Sequence, residues 1–255
     1  MVDPCDLGIR PLNARSLVLS VLLGLRRPAL SARALVEVAE TFGIAAGTMR
    51  TALSRMLAAG ELAADRGEYH LAGRLLERKA AQDIGRRPAA ADWDGAWWVA
   101  IVTATRRDVA DRRAFRSHMA NLRMGELRPD TWLRPANLVA PVGDGGLAVV
   151  RGPLAGEDPA ALAGRLWPLP AIAEQAAVLL ALVEAALPAV ESGSVAALSD
   201  TIGLSAAVVR FLRAEPLLPP PLTPRPWPPD ELRTRYRRFD AAFFRLLSAT
   251  VAATP

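Results

Sequence analysis

Residues 47–62, GTMRTALSRMLAAGEL, present two kinds of side chain when the segment is drawn as a helix. An apolar face repeats at helical spacing, at Met49, Leu53, Met56 and Leu57. The opposite face carries only hydroxyl and guanidinium groups, from Thr48, Arg50, Thr51, Ser54 and Arg55. Arginine can pair with guanine edges in a DNA major groove, and hydroxyls can bond to phosphates. The face therefore predicts DNA recognition, with an ordinary solvated helix surface as the alternative.

Two predicted helices precede this segment and must position it. Residues 14–25, ARSLVLSVLLGL, carry the apolar spacing of a buried helix. Residues 31–43, SARALVEVAETFG, begin with Ser31 as N-cap and end at a glycine. Because only the link IAA separates this helix from the next, the two are predicted to form a helix-turn-helix.

A predicted hairpin follows the helix-turn-helix. Its strands are Glu61–Ala64 and Glu68–Leu71, around the turn Asp65-Arg66-Gly67. Three helices followed by a hairpin are the order of a winged helix. In that arrangement Arg66 at the wing tip would lie near a phosphate or the minor groove.

The charge of the chain supports a nucleic-acid partner. The net charge is +5, and residues 1–88 hold 13 Lys and Arg against 9 Asp and Glu. Residues 89–165 balance 10 against 9, and residues 166–255 balance 8 against 8. The positive charge is therefore concentrated in the predicted DNA-binding part.

The middle of the chain changes in composition. After a helix over residues 73–87 and a linker, RRPAAADWDG, the segment AWWVAIVTA reads as a strand. A basic helix is predicted over residues 106–122, then strands at TWLRPAN and LAVVRGPL, and a helix at PAALAGRLW. This order predicts a ferredoxin-like domain, and the chain from Pro170 onward is predicted to be helical.

The composition also points to a cellular compartment. The longest apolar run, residues 176–190, contains Glu184 and Pro188, which disfavours a membrane span. The N-terminus lacks the basic and apolar segments of a secretion signal. A single cysteine, Cys5, leaves no internal disulfide and fits a reducing cytoplasm.

Few residues offer catalytic chemistry. The only histidines are His70 and His118, and no G-x-S-x-G sequence is present, so a serine hydrolase is disfavoured. Neither a catalytic nor a structural metal site is expected from so few Cys and His. Metal-dependent cleavage of phosphodiesters is hard to support without a carboxylate ligand, and the first middle strand ends at Ala104 and Thr105 and not at an acid. We therefore expect no enzyme and no cofactor.

Tryptophans and arginines in the middle region suggest a second binding function. Trp97 and Trp132 are predicted core residues, or else the lining of an acyl or aryl pocket. The basic helix carries Arg112, Arg113 and Arg116, which are either a solvated face, an extension of the DNA contact or a site for an anionic effector. We take Arg112, Arg113, Arg116, Trp97 and Trp132 as the candidate effector set.

Four separated motifs resemble the PaaX-like repressors of phenylacetate degradation. They are MRTALSRMLAAGEL, WDGAWWVAIV, GELRPDTWLRP and RFLRAEPLLPPPLTPRPWPPDELRTRYRRF, within residues 14–247. The resemblance implies an α+β chain with an N-terminal winged helix-turn-helix, a middle ferredoxin-like (Cas2-like) domain and a C-terminal helical domain. It also implies a homodimeric repressor that binds double-stranded DNA and is released by an effector, phenylacetyl-CoA for the best-known members.

The expected domains are residues 1–88, 89–165 and 166–255. The expected function is that of a cytoplasmic transcriptional repressor which an acyl-CoA or aromatic acid releases from its operator. Two alternatives stay open at this point. One is a DNA-binding or architectural protein without an effector, and the other is a Cas2-like metal-dependent nuclease.

Overall fold

The computed structural model describes residues 13–25, 29–87, 92–103, 109–141 and 146–252. The first part combines four helices with three short strands. Its elements are α1 (Ala14–Gly24), β1 (Ala29–Ser31), α2 (Ala32–Thr41), α3 (Ala46–Ala58), β2 (Leu62–Asp65), β3 (Glu68–Leu71) and α4 (Arg74–Gly85). The predicted helices and the predicted hairpin are all present in this part. Cys5 and residues 88–91 of the predicted linker lie outside the described residues.

Side-chain caps fix the start of the first two helices. Asn13 Oδ1 accepts from the Ser16 amide at 2.9 Å, and Ser31 Oγ accepts from the Ala34 amide at 3.1 Å, as the sequence predicts for Ser31. The strand β1, which the sequence does not predict, ends at Ser31 and pairs antiparallel with β3. A three-stranded sheet in the order β1-β3-β2 results.

The middle part is a four-stranded antiparallel sheet with a helix on each side. Its elements are β4 (Ala96–Val102), α5 (Val109–Asn121), β5 (Gly125–Arg128), β6 (Thr131–Pro135), β7 (Leu147–Pro153) and α6 (Pro159–Leu166). The strand order is β5-β6-β4-β7. Residues 104–108, which include the predicted start of the basic helix and the end of the first middle strand, are not among the described residues.

One prediction for the middle part is wrong. The sequence was interpreted as having a single second strand at TWLRPAN, but two strands, β5 and β6, form a hairpin here. The reason is the turn at Pro129-Asp130, where Asp130 adopts a positive φ of 65° and the chain reverses. Because β5 is only four residues long and one edge of the sheet, its alternating pattern is too short to stand out.

The C-terminal part is helical, as predicted. Its elements are α7 (Leu169–Glu191), α8 (Ala196–Ala214), a single 3-10 turn (Pro220–Leu222) and α9 (Pro228–Ala252). α7 is long and apolar enough, by length and composition, to cross a membrane. One side of it packs against α8 and α9 and buries Leu179 and Val183, and much of the rest of its surface is exposed.

The buried side chains join the first and last parts of the chain. One cluster runs from Leu17 and Val18 in α1 through Met49 and Leu53 in α3 to Phe239 in α9. The middle sheet has two smaller clusters, one on each face. The orientation of α3 is therefore set by a core that the C-terminal helices share.

Candidate nucleic-acid interface

The helix α3 is held by its apolar face. Met49, Leu53 and Met56 are each 2% exposed or less, and they pack in the cluster that includes α1 and α2. The N-cap position is Ala45, which provides no side-chain hydrogen bond to the first turn. Packing and not capping therefore determines where α3 lies.

The opposite face of α3 is open to solvent. All five predicted DNA-binding residues of the helix are exposed: Thr48, Arg50, Thr51, Ser54 and Arg55. The Thr51 hydroxyl donates to the Gly47 carbonyl at 2.9 Å, which leaves its oxygen able to accept. Across the described part of the chain, neither Arg50 nor Arg55 has an ion-pair partner. Their guanidinium groups keep all their donors available for a ligand.

A carboxylate beside this face is paired with an arginine. Glu61 accepts from Arg15 Nε at 2.9 Å and from Arg15 Nη2 at 2.5 Å. The hydrogen bond to Arg15 lowers the pKa of Glu61, and the same bond raises the pKa of Arg15. Both residues line an open cavity of 830 Å³ beside Thr48 and Arg55, between the start of α1 and α3. The ion pair removes the main source of repulsion for a phosphate here.

The hairpin tip places one more arginine in solvent. The turn between β2 and β3 consists of Arg66 and Gly67, with φ values of 48° and 82°, typical of a type I′ turn. The Arg66 side chain is 93% exposed, and its Nε lies 4.0 Å from Asp65 Oδ2. The neighbouring carboxylate offsets part of its charge, so Arg66 is the weakest of the predicted contacts.

The candidate effector residues do not form one site in the structure. Trp97 is fully buried on the face of the sheet toward α6, beside Leu133. Trp132 is buried on the other face, against Met119 and Phe115 of α5. Since neighbouring residues on a strand point to opposite faces, the paired strands β4 and β6 separate the two rings.

The arginines of α5 are on its outer surface. Arg112, Arg113 and Arg116 are exposed, while Met119 of the same helix is buried. Arg116 Nη2 lies 3.2 Å from Glu126 Oε1 of β5. Arg106 and Arg107, which the sequence assigns to the same helix, are outside the described residues. The described part of the helix therefore shows a basic surface, and its arginines lie on the side away from the buried Trp132.

A buried group of charges was missed by the sequence analysis. Arg233 and Glu215 form an ion pair inside the junction of α4, α8 and α9, and Arg123 donates to the Leu212 carbonyl at 3.0 Å and to the Glu215 carbonyl. Burial raises the pKa of Glu215, and the charges of Arg233 and Arg123 oppose that rise. The motif RAEPLLPPPLTPRPWPPDELRTR contains Glu215 and Arg233. Two residues of opposite charge, Glu215 and Arg233, in an apolar, proline-rich motif are the feature of the sequence that could have indicated this ion pair.

The two histidines lie on different elements of the structure. His70 is half-buried in β3, and His118 is exposed on α5. Within the described ranges, no group of three or more His, Cys, Asp or Glu could hold a metal ion. Ala104 and Thr105, where a nuclease would need its carboxylate, are not among the described residues.

Comparison with known proteins identifies two stretches of the chain. Residues 13–75 match the family described as PaaX-like protein, and residues 90–144 match the PaaX protein central Cas2-like domain. A solved structure, the uncharacterized protein Rv0674 from Mycobacterium tuberculosis, is 36% identical. The alignment covers 93% of this chain and 98% of that one, with a TM-score of 0.71. No curated protein matches the chain.

Proposed function

The chain belongs to the PaaX-like family, whose members are transcriptional regulators, and we propose that it binds double-stranded DNA through α3. The observation that carries the proposal is the exposed face of Thr48, Arg50, Thr51, Ser54 and Arg55, on a helix whose other face is buried. In this proposal the N-terminal part is a winged helix-turn-helix. Its α2, the turn at Gly43 and α3 form the helix-turn-helix, and β2 and β3 form the wing.

The contacts divide by chemistry. Arg50 and Arg55 have uncommitted guanidinium forks, which suit the O6 and N7 atoms of guanine or a pair of phosphate oxygens. The short hydroxyl side chains of Thr48, Thr51 and Ser54 suit phosphates, which fix the position of the helix without reading sequence. Arg66 contacts a phosphate or the minor groove from the wing.

Selection from a random double-stranded DNA library tests this proposal. The expected result is enrichment of one short sequence, and protection of that sequence from nuclease cleavage by the bound protein. A library that stays random after repeated rounds, with the protein folded, would reject specific DNA binding.

We further propose that the protein acts as a homodimer on an inverted repeat. A single winged helix buries too little surface for tight, specific binding. The exposed side of α7 carries three alanines, Ala177, Ala181 and Ala185, with Glu174 and Glu184 on the same side, and it offers a surface for pairing. Two recognition helices on one side of DNA require half-sites about 10 base pairs apart, or a multiple of that distance. Light scattering at the protein concentrations used for DNA binding should show a dimer. A monomer bound to an unrepeated DNA site would contradict the homodimer proposal.

The middle part is proposed to be a ferredoxin-like domain. Its strand order, β5-β6-β4-β7, and its antiparallel pairing support this assignment. The second helix, α6, follows the last strand instead of preceding it, which departs from the usual order. The proposed domains are residues 1–88, 89–165 and 166–255.

We propose that the regulator is a cytoplasmic repressor, released by a small effector such as an acyl-CoA or an aromatic acid. For a coupling of about 1–3 kcal/mol, saturating effector weakens DNA binding roughly 5–150-fold, and DNA weakens effector binding equally. Arg112, Arg113 and Arg116 are accessible to an anionic effector, whereas Trp97 and Trp132 are buried and need repacking to reach one.

The effector proposal has a direct test in a panel of CoA thioesters and their free acids. Neutralising Arg112, Arg113 and Arg116 together should reduce the response and leave effector-free DNA affinity intact. If no compound shifts the complex, the effector-independent DNA-binding protein replaces the repressor. We propose that the protein is not an enzyme. Cleavage of DNA by the protein in the presence of Mg²⁺ or Mn²⁺ would contradict this proposal and support the nuclease.

A further inference from the structure

A cleft lies where the N-terminal and C-terminal parts of the chain meet. It is bounded by α1, α4, α8 and the end of α9, and its volume is 220 Å³. The proposed DNA-contacting residues of α3 do not line it, nor do the candidate effector residues of the middle domain. The walls come from four separate regions of the sequence, which is why no local motif indicates the cleft.

The lining of the cleft is strongly basic. Five arginines and no Asp or Glu line it: Arg15, Arg78, Arg86, Arg210 and Arg213. Arg15 is paired with Glu61, and Arg86 is paired with Asp240 at 3.2 Å. Arg213 Nη1 donates to the neutral side-chain oxygen of Asn121 at 3.5 Å, and no ion pair of Arg213 is found among the described residues. An excess of positive charge therefore remains at the mouth.

The electrostatics of Arg78 reflect that excess. Among the described ion pairs none includes Arg78. Burial lowers the pKa of its guanidinium group, and the positive charges of Arg213, Arg15 and Arg210 lower it further. Like charges held together this closely are stabilised by an anion between them.

A buried amide in the cleft, that of Gln82, adds a second requirement for the ligand. Gln82 is 3% exposed, and its Nε2 donates to the Leu23 carbonyl at 3.4 Å. This contact orients the amide, and among the described residues the buried Gln82 Oε1 has no hydrogen-bond partner. A buried acceptor without a partner costs free energy. The matching ligand group is a hydroxyl or another donor.

The floor of the cleft is rigid. Tyr236 hydroxyl donates to Asp240 Oδ1 at 3.1 Å and lies 2.9 Å from Ser205 Oγ, while Arg86 bonds to the same Asp240. On the other side, α1 and α9 approach so closely that a Cβ at Gly24 would lie 2.0 Å from the Phe244 ring. These contacts hold the floor of the cleft, whereas the facing walls, α1 and α8, carry arginines that a ligand can bridge.

We propose that this cleft binds a small anion that also carries a hydroxyl group, such as a phosphate ester of a polyol or a hydroxy acid. Arg78 and Arg213 hold the anionic group, and Gln82 Oε1 accepts from the hydroxyl. The volume suits a molecule of this size, because pockets for larger ligands are usually about 300–1,000 Å³. Two classes share this chemistry, phosphates and carboxylates, and direct binding measurements separate them.

The location gives the site a regulatory consequence, which rests on the proposed DNA-binding function. α1 forms one wall and packs directly against α3, while α8 forms the facing wall. A ligand that bridges Arg78 or Arg213 to α1 favours one spacing of these helices. The orientation of the DNA-contacting face would then depend on occupancy of the cleft.

Isothermal titration calorimetry on the full chain tests binding without reference to DNA. The probes are glycerol 3-phosphate, glycerate and inorganic phosphate, at constant ionic strength set with chloride. We expect at least one of the two hydroxyl-bearing probes to bind more tightly than inorganic phosphate. Glycerol 3-phosphate binding alone identifies a phosphate site, and glycerate binding alone identifies a carboxylate site.

Three variants sharpen the result. Arg78→Ala and Arg213→Ala should each raise the Kd about tenfold, because each removes a charge-assisted hydrogen bond. Gln82→Met should raise the Kd of the hydroxyl-bearing probe about fivefold and change that of inorganic phosphate by less than about twofold. Arg237→Ala, an exposed arginine of α9 outside the cleft, is the matched control and should have no effect.

Two outcomes would overturn the proposal. The first is that none of the three probes binds, or that binding is unchanged in Arg78→Ala and Arg213→Ala. The second is that these variants bind the probes with unchanged affinity but bind DNA more weakly, which would indicate that the cleft contacts the DNA backbone. Failure of the proposed DNA-binding function would leave the calorimetric result unchanged, so the two failures are distinguishable.

Discussion

Arginines occupy two contrasting regions of this protein. On α3, Arg50 and Arg55 are exposed and have no ion-pair partner among the described residues. At the junction of α4, α8 and α9, Arg233 is 3% exposed and each of its three side-chain nitrogens donates a hydrogen bond. Its Nε donates to the Gly85 carbonyl at 3.1 Å, its Nη1 to Asp230 at 2.7 Å, and its Nη2 to Glu215.

The difference between the two regions separates structure from recognition. Burying an arginine costs free energy unless its charge is paired and its donors are satisfied, so the paired Arg233 fixes how the helices meet at the junction. Arginine that is exposed and unpaired contributes little to stability, because water already satisfies it. Its donors remain available to a ligand, which is the property that a DNA-contacting helix needs.

The largest expected effect comes from breaking the buried pair. Glu215→Ala leaves the Arg233 charge buried without its carboxylate and should lower the free energy of unfolding by about 3–5 kcal/mol. Asp230→Ala is the matched control, because Asp230 bonds to the same arginine but its side chain is 56% exposed; we expect a loss below about 1 kcal/mol. Urea denaturation followed by circular dichroism measures both. Equal losses in the two variants would show that burial does not distinguish these partners.

The next effect concerns the close approach of helices at the same junction. A Cβ at Gly85 would lie 2.3 Å from the Leu212 carbonyl oxygen, which is backbone and cannot swing away. Gly85→Ala should therefore destabilise the protein by about 1–3 kcal/mol. Gly164→Ala in α6 meets nothing within 4 Å and should be neutral or slightly stabilising. Thermal unfolding of both variants decides the point, and a neutral Gly85→Ala would mean that the junction is loosely packed.

The exposed arginines should affect the salt dependence of DNA binding and leave stability unchanged. Replacing both Arg50 and Arg55 by Ala should change the free energy of unfolding by less than about 0.5 kcal/mol. If both contact phosphates, the slope of log K against log salt should become shallower by roughly 2, at about 0.9 per contact. Affinity measured between low and moderate salt gives the slope. An unchanged slope would mean that the arginines contact bases or nothing.

The smallest expected effect is at the start of α3. Ala45 is the N-cap residue and provides no hydrogen bond, so Ala45→Ser should stabilise the protein by about 0.5–1 kcal/mol. Ala59→Ser, at the opposite end of the same helix, has no orphan amide to satisfy and serves as the control. The denaturant midpoints of the Ala45→Ser and Ala59→Ser variants measure the difference in stability. A loss of stability in Ala45→Ser would indicate that the turn before α3 is constrained in another way.

Local patterns in the sequence predicted much of this fold. Helical spacing of Met49, Leu53 and Met56 located α3, and Ser31 located the start of α2. The short strand β1 was missed because three residues give no alternation to detect, and its pairing with β3 is a tertiary contact. The hairpin β5-β6 was missed because its turn has no glycine.

The candidate sites show the same division. The DNA-contacting face lies within one helix, so its residues could be found together from spacing alone. The effector set combined residues of three elements, and the alternation of β-strands places Trp97 and Trp132 on opposite faces. The arginine cleft joins segments that are far apart in sequence, which spacing cannot show. Arg233 and Glu215 lie 18 residues apart in one motif, but the irregular chain between them has no fixed period that would indicate their contact.

The most direct test of DNA recognition by α3 is a fluorescence anisotropy titration of a selected DNA site. The Arg50→Ala/Arg55→Ala protein is compared with Arg165→Ala/Arg237→Ala, which removes the same charge from exposed positions on α6 and α9. At about 1–3 kcal/mol for each arginine, the α3 variant should bind at least thirtyfold more weakly, and the control should stay within about threefold of the parent. Equal affinities of the two variants, with both folded, would contradict DNA recognition by α3.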